Sequence, residues 1–106
     1  MSWKKDTGKT CKHGLKVFLV DGAYVRSHFD SAFIHGGNEF RYGDFVPKNE
    51  LWIDQIMPEA EWPYTLLHEC YETEKMRGGW SYDRAHNAAK RLENKARRRD
   101  RPGELR

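Results

Sequence analysis

The periodicity of the chain changes once, between Asp54 and Tyr64, and that change limits what the sequence can fold into. Before it, short segments alternate polar and apolar residues or run β-branched and aromatic. After it, apolar and small residues recur three and four apart, the spacing of one helix face.

In the first part, Leu15 to Val20 (Leu-Lys-Val-Phe-Leu-Val) reads as a strand. Asp21-Gly22 is a hairpin-type turn signal, with Ala23 to Arg26 as the return strand. Gly36-Gly37 suits a tight turn that needs positive φ. Glu39-Phe40-Arg41-Tyr42 and Glu50 to Asp54 both alternate as half-buried strands do.

In the second part, Pro58 and Pro63 each suit a helix start, where a missing N–H costs nothing. Leu66, Leu67, Cys70 and Tyr71 form an apolar stripe, with Met76 near its end, and Gly78-Gly79 terminates it. Ser81 is an N-cap with Asp83 in the first turn of a second helix. Ala85, Ala88, Ala89, Leu92 and Ala96 give that helix a narrow face that allows close approach. Two helices joined by about five residues pack antiparallel. The expected fold class is α+β: a small, mostly antiparallel sheet of about four strands followed by two packed antiparallel helices. Residues 1–13 read as a flexible leader, 14–98 as one domain and 99–106 as a basic flexible tail.

Composition narrows this further. The 106 residues suffice for one domain, and 33% charged residues with a mean hydropathy of −0.96 leave few aliphatics. A thin core leaning on Trp, Tyr and Phe follows, these being 13% of the chain. No apolar run approaches the roughly 20 residues that span a bilayer, and the start lacks the apolar stretch of a signal peptide. A cytoplasmic protein with no membrane partner is expected (host cytoplasm if phage-encoded). In such a reducing compartment Cys11 and Cys70 read as free thiols. The net charge of +3 conceals an asymmetry: Arg84 to Arg106 carries nine Lys/Arg against three Asp/Glu.

One stretch carries chemistry: His68-Glu69-Cys70-Tyr71-Glu72. In a helix His68 and Glu72 lie one turn apart on one face, with Glu69 on its flank. His86 follows from the second helix. Hydrolytic zinc takes three protein ligands, commonly two His and one carboxylate, and keeps an open position for water. Against the familiar His-Glu-x-x-His helix, Glu72 stands at the second His position and His86 supplies the missing imidazole. Glu69 keeps the place of the general base. The plainer alternative is a solvated helix face. Glu93, two turns beyond His86, fits a partner that orients an imidazole, a fourth ligand, or a surface charge paired with Arg97. Tyr82 fits an oxyanion donor or simple packing.

From about Val17 to Glu93 the chain resembles a group of small bacterial and phage proteins of unassigned activity. The residues that carry it are Val20-Asp21-Gly22-Ala23-Tyr24-Val25-Arg26, Gly36-Gly37, Pro47 to Asp54, Leu67-His68-Glu69 with Glu72, and Tyr82 to His86 with Glu93. The helical part is similar to the minimal catalytic unit of zincin metallopeptidases. That resemblance implies zinc held by His68, Glu72 and His86, and Glu69 activating a metal-bound water. It also implies that strand 50–54 aligns a peptide or protein substrate by strand addition. The zincin frame has His where this chain has Glu72, which touches peptidase activity more than metal binding.

The alternative is a non-catalytic binding protein. Arg91, Lys95, Arg97, Arg98, Arg99 and Arg101 would then contact nucleic-acid phosphates, or exposed Trp3, Trp62 or Trp80 a host protein.

Overall fold

The structure, a computed structural model, describes residues 2–100. The described residues fall into two compact units, 2–59 and 60–100.

The first unit is a four-stranded mixed sheet with one helix. Its strands are β1 (Lys4–Thr10), β2 (Lys16–Val20), β3 (Gly36–Asn38) and β4 (Glu50–Asp54), in the order β1-β2-β4-β3. Helix α1 (Gly22–His28) follows β2. β1 and β2 run antiparallel, as do β3 and β4. β2 and β4 run parallel, from Lys16↔Glu50 to Val20↔Asp54.

Three sequence expectations change here, each for a local reason. Residues 4–10, expected within a leader, form the edge strand β1. This strand is mostly exposed, so it needs no apolar alternation, and its lysines suit an open edge. Asp21-Gly22 is a helix start instead of a hairpin turn. The Asp21 carboxylate accepts from Ala23 N–H (3.0 Å) and Tyr24 N–H (3.3 Å), and β2 therefore leads into α1. Gly22 is required there, because a side chain would collide with the Asp54 carboxylate.

The third change concerns Gly36-Gly37, which lie in β3, and Glu39–Tyr42, which form no strand. The Asn38 side chain accepts from Phe40 N–H (2.8 Å) and Arg41 N–H (3.0 Å) and bends the chain directly after β3. Tyr42 then folds back so that its ring covers Gly37, where a side chain would collide with it. The core of this unit is Val20, Val25, Phe33, Tyr42, Val46 and Trp52, with Trp3, Phe18 and Phe45 packed against it. Aromatics dominate it, as the composition requires.

The second unit is a helical hairpin of α2 (Trp62–Arg77) and α3 (Tyr82–Asp100). Pro63, not Pro58, lies in the first turn of α2. Gly79, at φ 100°, turns the chain at the far end. Ser81 Oγ accepts from Arg84 N–H at 3.3 Å and caps α3. Side-chain pairs Glu61–Arg97, His68–Glu93 and Glu72–His86 descend along α3 as they ascend α2, so the helices are antiparallel. Ala85, Ala88, Ala89 and Ala96 are buried as expected, while Leu92 is half-buried. α2 departs from its expected stripe. Leu66, Leu67, Cys70 and Tyr71 are half-buried, and the fully buried positions are Tyr64, His68, Glu69, Glu72 and Thr73. Of the expected tail 99–106, Arg99 and Asp100 continue α3, and the rest lies outside the described residues.

Neither cysteine is a free thiol: Cys11 and Cys70 are both disulfide-bonded, contrary to the reduced state expected. Among the described residues no helix is long and apolar enough to cross a membrane.

Candidate metal centre

The helix register brings His68 and Glu72 together, and the antiparallel pairing brings His86 to them. His68 Nε2 lies 3.0 Å from Glu72 Oε2 and 3.2 Å from His86 Nδ1. His86 Nδ1 lies 3.0 Å from the same Glu72 oxygen. The three atoms form a nearly equilateral triangle. His68 and Glu72 are buried, and the His86 side chain is 40% exposed, so the triangle has a closed wall and a side open to solvent.

The protonation of this triangle follows from what stands behind it. His68 Nδ1 is 2.9 Å from Glu93 Oε1. A carboxylate only accepts, so the imidazole donates from Nδ1, while Nε2 faces the Glu72 carboxylate and His86. Glu93 is held ionised. Burial alone would raise its pKa, but hydrogen bonds from Arg97 and His68 bring it below the usual carboxylate value. Three electron-pair donors this close need a cation among them, either a proton or a metal ion. His68 reflects that need. Burial lowers its pKa, but the hydrogen bond to Glu72, the Glu69 charge and the bond to Glu93 outweigh burial and raise it.

The dimensions also fit a metal. Tetrahedral zinc with bonds of roughly 2.0–2.1 Å spaces its ligand atoms about 3.3 Å apart, close to the separations found. Two imidazoles and a carboxylate are the donor set that zinc-class ions take.

The remaining sequence candidates sit around this triangle. Glu69 is buried, with Oε2 3.7 Å from His68 Nε2. The Tyr82 hydroxyl is 3.3 Å from His86 Nδ1, and its ring stacks on that imidazole. Glu93 is buried, not a surface charge, and bonds both His68 and Arg97. It meets His68 at Nδ1, behind the ring, which is not the position of a fourth ligand.

Arg97 leaves the basic set proposed for phosphates. Its guanidinium is engaged by Glu61 (2.7 and 3.1 Å) and Glu93 (2.9 Å). Arg91, Lys95 and Arg98 are exposed, Arg99 pairs with Asp100 at 3.1 Å, and Arg101 lies outside the described residues. Trp3, Trp62 and Trp80 are half-buried instead of exposed. Trp3 stacks on Tyr24, and Trp80 lies under Arg84.

β4 does not offer the expected peptide-aligning edge. It is central in the sheet, with β2 on one side and β3 on the other, so both its hydrogen-bonding edges are occupied.

Glu61 is the functional candidate that the sequence reading missed. The Glu93–Arg97 pair is visible as an i,i+4 spacing, but no local signal connects Arg97 to Glu61.

No family model, curated protein or solved structure matches the chain.

Proposed function

We propose that the α2–α3 hairpin is a binding site for a zinc-class divalent metal, with His68 Nε2, Glu72 Oε2 and His86 Nδ1 as ligands. The observation that carries this is the convergence of those three atoms within 3.0–3.2 Å, with Glu93 behind the His68 ring at Nδ1. The reaction the site supports best is hydrolysis, with a peptide or protein as substrate, in keeping with the zincin-like resemblance. A zinc-class ion supplies Lewis acidity when bound. In this reading Glu69 takes a proton from an attacking water, and the Tyr82 hydroxyl donates to a developing oxyanion.

Metal analysis of gently purified protein tests the site. One stoichiometric metal is expected in the wild type and none in His68→Ala or His86→Ala. A wild type that stays metal-free, even after zinc is supplied, overturns the reading. Glu69→Gln should retain the metal and lose hydrolysis. A cytoplasmic setting, in a bacterial or phage-infected host, requires both cysteines to be reduced there. Thiol titration of protein quenched at lysis checks that point.

A second reading rests on α3. Arg91, Lys95 and Arg98 are exposed at i, i+4 and i+7, on one helix face. That face supports contact with nucleic-acid phosphates, with affinity that falls steeply with salt. Absence of binding to mixed DNA and RNA at low salt removes it.

A further inference from the structure

We propose that Arg97 is a positioning residue for the metal centre: fixed by Glu61, it holds Glu93 against His68 Nδ1 and so aims His68 Nε2 at Glu72 and His86. This inference rests on the metal reading above.

The connection is continuous. Glu61 stands at the N-cap position of α2, but its carboxylate makes no capping bond. It accepts instead from Arg97, from Nη2 at 2.7 Å and Nη1 at 3.1 Å. Arg97 Nε donates to Glu93 Oε2 at 2.9 Å, and Glu93 Oε1 accepts from His68 Nδ1 at 2.9 Å. The Tyr64 ring lies under the guanidinium, 4.5 Å from its carbon. The Tyr64 hydroxyl in turn donates to Asp100 at 3.1 Å.

The division of the Glu93 carboxylate separates this from an ordinary ion pair. Glu93 and Arg97 lie one turn apart on α3, so their bond does not join the helices, and a two-pronged contact between them would occupy both Glu93 oxygens. Here Arg97 gives its two-pronged face to Glu61 and only its Nε edge to Glu93. The second Glu93 oxygen is thereby left to the imidazole. Carboxylates behind metal-bound histidines fix ring orientation and tautomer in this way. A lysine cannot replace Arg97, since one ammonium on a flexible stem lacks the rigid fork that addresses two carboxylates at once.

Cobalt(II) titration of the full-length protein, with chelator competition and visible absorption spectra, tests the proposal. Wild type should bind one equivalent. Arg97→Lys and Glu93→Gln should each bind about 10-fold or more weakly and show altered cobalt spectra. The double variant should be no weaker than Glu93→Gln alone, because both changes act through one imidazole. Glu61→Gln keeps the Arg97–Glu93 bond and should shift affinity in the same direction by less, so the test survives if Arg97→Lys does not fold. A purely structural Arg97 lowers the melting temperature of the metal-free protein but leaves cobalt affinity and spectrum unchanged, and that result overturns the proposal. So does an effect of Arg97→Lys without one of Glu93→Gln. If wild type binds no cobalt, the metal reading itself fails and this inference with it.

Discussion

The two units bury polar side chains in opposite ways. In the sheet unit Asn38 and Asp54 are buried, and both serve the backbone. Asn38 turns the chain after β3, while Asp54 Oδ1 accepts from Gly22 N–H at 3.2 Å and Ile56 N–H at 3.1 Å. In the hairpin Thr73 also serves the backbone, but the buried charged and imidazole groups His68, Glu72 and Glu93 bind one another or Arg97, with Glu69 buried beside them. Polar groups of the first kind determine a fold. Those of the second kind gather like charges in a low-dielectric region, which a two-helix unit tolerates at a cost. Such a cost is retained where a site needs those groups. Even the cleft of the sheet unit keeps to this division: the carboxylates in its lining, Asp21 and Asp54, are both held by backbone N–H groups.

The largest effect is expected at Trp52, which is 1% exposed in the core of the sheet unit. Trp52→Ala should cost about 3–5 kcal/mol in urea unfolding. A loss below about 1 kcal/mol would mean that the aromatic core does not determine this unit.

The opposite outcome is expected in the hairpin. Replacing both His68 and Glu72 with leucine should leave the metal-free protein unchanged or stabilise it by about 1–4 kcal/mol, since a buried ionic cluster gives way to apolar packing. The same variant should take up no zinc. A strongly destabilised double variant would show that the cluster serves the fold, and the contrast between the units would disappear.

In the sheet unit, Asn38→Ala removes two turn bonds to part-buried N–H groups and should cost about 1–3 kcal/mol. Urea unfolding checks this, and no loss would separate the turn from the fold.

How much of this was legible in the sequence follows the same division. β2 and β4 carry the β-branched and aromatic residues of strands, and α3 repeats at the period that its burial imposes, so these can be read locally. β1 cannot, because a mostly exposed edge strand needs no apolar alternation. β3 is three residues, two of them glycines, and its length and composition carry no strand signal. Asp21-Gly22 fits a turn or a helix cap equally well. What decides is Asp54, far along the chain, pressed against Gly22. At the site, His68, Glu69 and Glu72 are fixed by one helix register. His86 needs only the assumption of an antiparallel hairpin. Burial of the Glu face of α2, where the sequence pointed to Leu66 and Leu67, was not legible because it depends on what the opposing helix presents. Glu61–Arg97 was hidden for the same reason.

The smallest expected effect is on pH dependence, and it should be confined to the hairpin. In the metal-free protein the His68 pKa is raised above its ordinary 6.5 by Glu72, Glu69 and Glu93, against the opposing effect of burial. The stabilisation that comes from protonated His68 is therefore complete below about 6.5 and is lost as pH rises through the higher folded value. Glu93, lowered from its ordinary 4.5 by Arg97 and His68, contributes stability above about 4.5 that is lost as pH falls through its lower folded value. Metal-free protein should thus melt at a higher temperature in the mildly acidic range between these limits than on the alkaline side of the His68 transition. The double variant carrying His68→Leu and Glu72→Leu should lack the alkaline decline, and zinc should mask it in the wild type by taking the place of the proton. An alkaline decline of equal size in wild type and double variant would move its origin out of the hairpin.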